Sequence, residues 1–201
     1  MRIIAIDPGN EHSAMVKYSL DHCALVKGTI KSNAELAEFV YSLNYNSDEI
    51  YIEFPSPRGQ LATWQLFETC KWVGRFEAEI LKAGGKPHYV NRRDVWNFFQ
   101  VHRCTRQEKA AGIKQVKFDA QIRLKIIDMY GGEQKAIGNK KCKKCGGKGW
   151  FGPGRPLCPE CNGSGWKHPP GPLARITADM WQALAIAIMI RDEKKHEANN
   201  D

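Results

Sequence analysis

Apolar positions in the first hundred residues fall into short runs separated by turn residues, a pattern that predicts β-strands. The cluster DPGN at 7–10 and the pair Gly84-Gly85 are two of these punctuating turns. The predicted strands cover 2–6, 13–19, 23–30, 49–54 and 87–90. The first three are joined by short turns, so we expect an antiparallel meander.

Apolar residues three or four positions apart predict helices between and after these strands. The predicted helices cover 34–43, 60–83, 91–99, 113–129 and 177–191, the first of them capped by Ser32 or Asn33. The stripe expected to be buried on the second helix consists of Leu66, Cys70, Val73, Ile80 and Leu81. The corresponding repeat on the fourth consists of Ile113, Val116, Ala120, Leu124 and Ile127. The order of elements predicts a mixed α/β fold with a sheet covered on both faces.

Charge is distributed unevenly along the 201 residues, which carry a formal net charge of +8. Residues 101–176 hold 16 Lys and Arg against 5 Asp and Glu, and the rest of the chain is slightly acidic. Such a basic block is typical of a surface that binds a polyanion, although an idle solvated face is the alternative. No apolar run approaches the roughly 20 residues of a membrane span. The N-terminus has no signal-peptide pattern, so we expect a cytoplasmic protein without a membrane partner.

Three acidic residues occupy positions where chemistry is a better explanation than packing. Asp7 ends the first strand, Glu53 lies at the end of the fourth, and Asp179 lies in the first turn of the last helix. Asp7 could instead begin a turn, and Asp179 could complement the helix dipole. Three converging carboxylates repel one another unless cations neutralise them, and their hard oxygens suit Mg²⁺ or Mn²⁺. A pair of such ions could activate water for phosphodiester cleavage.

Four of the seven cysteines form two copies of the pattern CxxCxGxG, which predicts a structural Zn²⁺ site. The ligands are Cys142, Cys145, Cys158 and Cys161. Redox chemistry or disulfide pairing is the alternative. The pattern resembles the zinc-binding repeat of DnaJ-type chaperones. We therefore predict an inserted zinc-binding module over 133–172, a core formed by 1–132 and 173–191, and a disordered tail over 192–201.

The segments IIAIDPG, IYIEFP and ITADMWQALAIAI resemble, in order and spacing, the acidic motifs of RuvC-type Holliday junction resolvases. These belong to the RNase H-like nuclease superfamily. The resemblance implies an RNase H-like mixed five-stranded sheet flanked by helices, here with an inserted zinc ribbon. It gives catalytic and Mg²⁺-binding roles to Asp7, Glu53 and Asp179. The family's usual fourth acid is replaced by Gln182, whose amide carbonyl can still bind metal. Asp119 is a less favoured substitute because it is predicted to lie within a helix.

The same resemblance implies a homodimer that nicks the two strands of four-way DNA symmetrically. The residues predicted to contact DNA are Arg58, Arg103, Arg106, Lys109, Lys114, Lys117, Lys143 and Lys144. Aromatic residues of the zinc module could stack on unpaired bases or only cover the metal site; these are Trp150, Phe151 and Trp166. Trp72 and Phe76 offer a second apolar face on the long helix, for a dimer contact or for packing beneath a loop.

Together these features predict a Mg²⁺-dependent, structure-selective endonuclease of DNA recombination and repair, acting on Holliday junctions. The alternatives are a non-catalytic nucleic-acid-binding protein with an RNase H-like fold and a compact transposon-type nuclease. The second would need a guide-binding lobe, for which 201 residues leave no room. A small resolvase with an added zinc module would suit phage DNA processing, hence the host cytoplasm.

Overall fold

The computed structural model describes residues 1–56, 62–112, 114–138, 140–148, 156–161, 163–168 and 170–199. The chain divides into two compact units. The core unit comprises Met1–Arg123 and Thr177–Asp201, and the cysteine unit comprises Leu124–Ile176. Among the described helices, none has the length and hydrophobicity needed to cross a membrane.

Five strands of the core unit form one mixed sheet, as predicted. They are β1 (Arg2–Asp7), β2 (His12–Ser19), β3 (Ala24–Ser32), β4 (Asp48–Phe54) and β5 (Pro87–Asn91). The order across the sheet is β3-β2-β1-β4-β5. The first three strands pair antiparallel, whereas β1, β4 and β5 run parallel. The carboxyl ends of β1, β4 and β5 therefore meet at one edge.

The helices of the core unit are α1 (Asn33–Tyr41), α2 (Trp64–Lys82), α3 (Arg92–Phe98), α4 (Arg106–Ala110), the first half of α5 (Phe118–Met129) and α7 (Met180–Ala198). Helix α1 begins with a capping box in which Ser32 and Glu35 bond each other's backbone, as the sequence indicated for Ser32. Helices α1 and α2 pack on one face of the sheet, against Ile4, Ile6, Ile50 and Ile52. Because side chains alternate along a strand, Asp7 and Glu53 point to the opposite face.

The buried stripes predicted for two helices were wrong in part. Val73 and Ile80 of α2 and Ile127 of α5 are buried as predicted, whereas other predicted positions are exposed. On α2 the buried residues are Thr69, Val73, Phe76 and Ile80, whereas Cys70 and Leu81 are exposed. The helix turns so that the large Phe76 ring fills the space beside the sheet. Phe76 is therefore core rather than part of an exposed second face, and Trp72 packs partly buried against the same cluster.

Helix α5 also differs from its prediction, because it begins at Phe118 and not at 113. Its buried residues are Ile122, Ile126 and Ile127, whereas Val116 and Leu124 are exposed. Ile113 lies outside the described residues. Ile122 and Ile126 are four residues apart and share one helix face, whereas Leu124 lies about 200° around the helix from Ile122. Burial of the isoleucines therefore leaves Leu124 exposed.

Helix α7 covers the second face of the sheet and is apolar nearly all round, with every residue from Met180 to Ile190 buried. Two contacts fix its direction. Arg191 donates to the Tyr18 hydroxyl at 3.1 Å, and Lys194 pairs with Glu49 at 2.8 Å. Tyr18 and Glu49 both lie opposite Ile3, near the start of β1. The amino end of α7 consequently lies toward the carboxyl ends of β1 and β4.

Helix α7 extends into the segment 192–201, which was predicted as a disordered tail. The helix continues to Ala198, and the ion pair of Lys194 lies within that extension. Tertiary contacts supply most of the stability of a helix, so this ion pair stabilises the last turns of α7.

The cysteine unit contains the end of α5, a short helix α6 (Glu133–Ala136) and a two-stranded antiparallel sheet. The strands of that sheet are β6 (Lys140–Lys141) and β7 (Trp166–His168). The four cysteines of the repeated motif lie between these strands in sequence and form a buried cluster of their own. The predicted module 133–172 falls within this unit.

Candidate functional site

Asp7 and Glu53 lie side by side at the carboxyl edge of the sheet. Strands β1 and β4 are parallel neighbours, and Ile6 lies opposite Ile52. The residues that follow them, Asp7 and Glu53, therefore lie next to each other. Only 8% of Asp7 and 6% of Glu53 is exposed. Two carboxylates buried next to each other repel, and this arrangement requires a cation.

Arg92 supplies that cation within the chain. It is the first residue of α3 and follows β5, the third parallel strand at this edge. Its Nη2 donates to Asp7 Oδ1 at 3.1 Å, and its Nε donates to Glu53 Oε1. No role at this pair of acids was predicted for Arg92 from the sequence. Its position directly after a strand parallel to β4 is the signal that could have placed it here.

The electrostatics of the pair follow from burial and charge. Burial, and next the charge of Glu53, raise the pKa of Asp7 to about 8, although Arg92 acts in the opposite direction. Asp179 and Asp119 add smaller upward contributions, which places both within electrostatic reach of Asp7. Burial disfavours the Arg92 guanidinium, but Glu53 and Asp7 outweigh it and raise its pKa. When both acids are ionised, Arg92 balances only one of their two negative charges, whereas with Asp7 protonated it balances Glu53.

A buried polar network holds the turn that follows Asp7. The Gly9 amide donates to Ser13 Oγ at 3.2 Å, and Ser13 Oγ donates to Asn33 Oδ1 at 2.6 Å. Asn33 Nδ2 donates back to the Gly9 carbonyl at 3.0 Å. A Cβ on Gly9 would lie 2.2 Å from the His12 carbonyl oxygen, so only glycine fits there. Sequence reasoning identified the turn but not Ser13 and Asn33 as its supports.

Asp179 lies at the mouth of this edge rather than inside it. It is the N-cap of α7, it is exposed, and it makes no side-chain capping bond. The preceding residue, Ala178, has a positive φ of 43°, a conformation that non-glycine residues rarely adopt. Gln182, one turn further along α7, is 5% exposed. Its amide, at the position where the sequence resemblance implied a fourth acid, is therefore buried.

Asp119 approaches the same edge from α5. The neighbouring Phe118 ring packs edge-to-face on Trp96, with centroids 4.6 Å apart, and Trp96 lies one turn after Arg92 on α3. One turn after Asp119, the Arg123 guanidinium lies 5.2 Å from the Trp181 ring of α7. Residues four apart share a helix face, so Asp119 is directed between α3 and α7. Asp119 also raises the pKa of Arg92 through its charge.

The carboxylate residues suit a hard divalent cation in chemistry. A cleft of about 200 Å³ is lined by Asp7, Glu53 and Arg92 with residues of the adjoining loop and α2. Buried carboxylate oxygens short of positive charge are the donors that Mg²⁺ and Mn²⁺ prefer. Within the described ranges, however, Asp179 does not join Asp7 and Glu53 in a cluster of three ligand atoms within 4.8 Å.

The four predicted cysteines do form such a cluster, in the cysteine unit. The Sγ atoms of Cys142 and Cys158 are 3.7 Å apart and those of Cys145 and Cys161 are 3.8 Å apart. All four sulfurs lie within 4.8 Å of one another, and all four residues are buried. A tetrahedral ion with Zn–S bonds of about 2.3 Å holds its sulfurs roughly 3.8 Å apart. The arrangement therefore fits Zn²⁺.

Burial favours the neutral thiol of Cys158, and the backbone of the second knuckle opposes this effect. Burial raises the pKa of the Cys158 thiol to about 11, and hydrogen bonds from the backbone of Glu160 and Cys161 act in the opposite direction. Positive φ angles at Gly146, Gly147, Gly163 and Gly165 turn the chain after each cysteine pair. Thiols that stay protonated without a metal release protons when Zn²⁺ binds.

The predicted DNA-contacting residues are exposed wherever the structure describes them. Those in the core unit are Arg103, Arg106, Lys109, Lys114 and Lys117, and those in the cysteine unit are Lys143 and Lys144. Arg103 lies 5.9 Å from the Phe118 ring, next to Asp119. Arg58 lies outside the described residues, as do Trp150 and Phe151. Trp166 is half-buried in β7, opposite Lys141.

No family model and no curated protein matches the sequence. Among solved structures, the chain is similar to Thermus thermophilus RuvC. The TM-score is 0.52 and the identity 12%, and the match covers 94% of this chain and 92% of that one. The T. thermophilus RuvC structure in complex with a Holliday junction substrate gives a TM-score of 0.52 and 11% identity, with 94% and 91% covered. The predicted fold is confirmed: this chain has the RuvC-like fold, with a cysteine cluster that could hold zinc.

Proposed function

We propose that this protein is a divalent-metal-dependent endonuclease that nicks four-way DNA junctions. The observation that carries the proposal is the buried pair of Asp7 and Glu53 at the carboxyl edge of parallel strands, with the amino end of α7 directed toward that edge. This is where ligands gather in open sheets. Structural neighbours with the same fold include a RuvC bound to a Holliday junction substrate, which supports branched DNA as the substrate class.

Each acid would have its own role. Asp7 and Glu53 would hold Mg²⁺ or Mn²⁺ from the sheet, and Asp179 would approach from the mouth of the site. Two such ions supply an activated water and stabilise the leaving oxygen of a phosphodiester. Asp119 would supply the fourth carboxylate, because Gln182 is uncharged and Asp119 is already within electrostatic reach of Asp7. The buried Gln182 would hold α7 against the sheet.

The exposed cations would hold the DNA backbone. Arg103, Arg106 and Lys109 belong to the segment between α3 and α5, which leads to Asp119. Contacts of this kind give affinity without sequence preference and weaken as salt rises. Symmetric nicking of a junction requires two sites, so we propose a homodimer. The Cys142, Cys145, Cys158 and Cys161 cluster would hold a structural Zn²⁺. A cytoplasmic location and a phage origin stay predictions.

A non-catalytic junction-binding protein is the second candidate. The observation that favours it is the arginine already paired with both carboxylates, together with an amide in the position of the fourth acid. Such a protein would bind branched DNA through the same cations and would not cut it.

One experiment separates the two candidates. Purified zinc-loaded protein is incubated with a labelled synthetic four-way junction and with a duplex of equal length, in Mg²⁺ or in Mn²⁺. The nuclease proposal expects paired nicks in the junction strands and little cutting of the duplex. Binding to the junction in a gel shift without any nicking in either metal would overturn it and leave the binding protein. The Asp7→Asn variant controls for contaminating nucleases.

A further inference from the structure

Arg92 occupies the position in which a metal ion would be expected. Its side chain is 15% exposed, and its Nε and Nη2 reach Glu53 and Asp7, respectively. A guanidinium edge carries two N–H groups in a fixed plane, which suits bonding to two acceptors at once. The bonds use one oxygen of each carboxylate, so an ion approaching between Asp7 and Glu53 meets a positive charge that is already bonded there.

The charge balance shows what this arrangement does to a divalent ion. Asp7 and Glu53 ionised carry two negative charges, and Arg92 cancels one of them. An ion that enters while Arg92 stays therefore meets a net charge of −1 rather than −2. At separations of about 4 Å, a unit charge near a protein surface changes an interaction by several-fold to several hundred-fold in affinity.

Arg92 also has another carboxylate within electrostatic reach. Asp119 raises the pKa of Arg92, and the packing of Phe118 on Trp96 holds the start of α5 against the helix that Arg92 begins. Asp119 is exposed, whereas Asp7 and Glu53 are buried. A guanidinium displaced from the carboxylate pair would therefore still have an exposed acidic group within electrostatic reach.

We propose that Arg92 is a positioning residue which acts as an internal cation and competes with the divalent ion for Asp7 and Glu53. It keeps the two buried carboxylates paired in the metal-free protein, and metal binding displaces it. The inference rests on the proposed function only in taking Asp7 and Glu53 as the metal ligands. It predicts a metal affinity in the free protein that is weaker than these carboxylates would otherwise give.

Direct metal binding tests the proposal without any measurement of cutting. Mn²⁺ is titrated into zinc-loaded protein in the absence of DNA, and free Mn²⁺ is followed by electron paramagnetic resonance. The variants are Arg92→Gln, Arg92→Lys and Asp7→Asn, with Arg93→Gln as the matched control, since Arg93 is the next residue and is exposed. We expect Arg92→Gln to bind Mn²⁺ at least about 10-fold more tightly than the unmodified protein. Arg92→Lys should fall between them, and Arg93→Gln should stay within about twofold.

Thermal unfolding of the same variants gives a second measurement. Without a metal, Arg92→Gln leaves two buried carboxylates unneutralised, so its melting temperature should fall and Mn²⁺ should restore it. If Arg92→Gln unfolds, Arg92→Lys keeps the positive charge and provides a folded variant for the titration.

Two results would overturn the proposal in distinguishable ways. If Arg92→Gln and Arg92→Lys bind Mn²⁺ no more tightly than the unmodified protein while Asp7→Asn abolishes binding, Arg92 does not compete and the proposed metal site stands. If Asp7→Asn leaves Mn²⁺ binding unchanged, the ion does not use this site, and the proposed function fails with the inference.

Discussion

The two candidate metal sites of this protein are built in opposite ways. The cysteine cluster takes its four ligands from 20 consecutive residues, and its sulfurs already lie at zinc-binding separations. The carboxylate site takes its residues from β1, β4, α5 and α7, and its two central acids are joined by an arginine. The cysteine cluster has all four ligands of a tetrahedral zinc site, whereas the two central carboxylates of the other site are already bonded to Arg92. This difference is what we expect of a permanently bound structural ion at the cysteine cluster and an exchangeable ion at the carboxylate site.

The largest effect is expected from the central acids. Asp7→Asn or Glu53→Gln should lower junction cutting by about 1,000-fold or more, because each removes a charged ligand from the proposed metal site. Gel shifts should show junction affinity within a few-fold of the unmodified protein. Glu38→Gln is the control, since Glu38 is exposed on α1, which packs on the other face of the sheet. Cutting by either active-site variant at more than a tenth of the normal rate would remove these acids from the chemistry.

Substitutions in the cysteine cluster should change the zinc content and the stability of the protein rather than the rate of cutting. Cys158→Ser should lower bound zinc from one ion per chain to less than about a tenth, measured by elemental analysis, because a three-thiolate site is open. Cys70→Ser is the control, since Cys70 is exposed and outside the cluster.

Zinc retention in a chelator should also depend on pH. The pKa of Cys158 is raised to about 11 without a metal, so protons compete with Zn²⁺ at every pH below that value. Retention should fall as the solution is made more acidic. Equal zinc content in Cys158→Ser and the unmodified protein would contradict the proposed site.

Asp119 should have an intermediate effect. Asp119→Asn should slow cutting by about 10- to 100-fold, because it removes one negative charge at the edge of the site without disturbing Asp7 or Glu53. Asp128→Asn, on the same helix and exposed, is the control. Adding Gln182→Asp to Asp119→Asn should restore part of the rate if Asp119 replaces the missing fourth acid. Unchanged cutting by Asp119→Asn would return that role to Gln182.

The smallest effect on cutting is expected from the turn that supports Asp7. Asn33→Ala removes the side chain that links Gly9 and Ser13, and it leaves buried polar groups without that partner. The free energy of unfolding should fall by about 1–3 kcal/mol in a urea titration. The cutting rate of the remaining folded protein should change by less than about 10-fold. Asn46→Ala, at an exposed position in the loop before β4, should leave stability unchanged within about 0.5 kcal/mol.

The strand bounds and the cysteine cluster could be predicted because both depend on residues that are close together in the sequence. The strands agree with their predicted bounds to within about two residues, because turn residues such as Pro8 and Gly9 delimit the apolar runs. The cysteine cluster was predictable for the same reason, since each half of it is one tight knuckle. The predicted faces of α2 and α5 were wrong in part, because several apolar registers compete along one helix and packing of residues such as Phe76 decides between them.

The carboxylate site needed the fold as well as the motifs. Asp7 and Glu53 could be proposed from their places at strand ends, and parallel pairing of β1 and β4 puts them together. Arg92 follows the fifth predicted strand, but its bonds to both acids depend on β5 joining the sheet next to β4. The approach of Asp119 depends on two aromatic contacts, from Phe118 to Trp96 and from Arg123 to Trp181, that no local pattern encodes.

The anchoring of α7 at Lys194 imposes an order of assembly on the nascent chain. A ribosome delivers β1, β4 and Arg92 first, then the entire cysteine unit, and only afterwards the helix that begins with Asp179. Domains fold as they emerge, so the sheet can form early with Arg92 already paired to its two acids. The end of α7 is fixed against the sheet once Arg191 and Lys194 have reached Tyr18 and Glu49. On the proposed function, a chain interrupted before those contacts form would fold in part and would not cut.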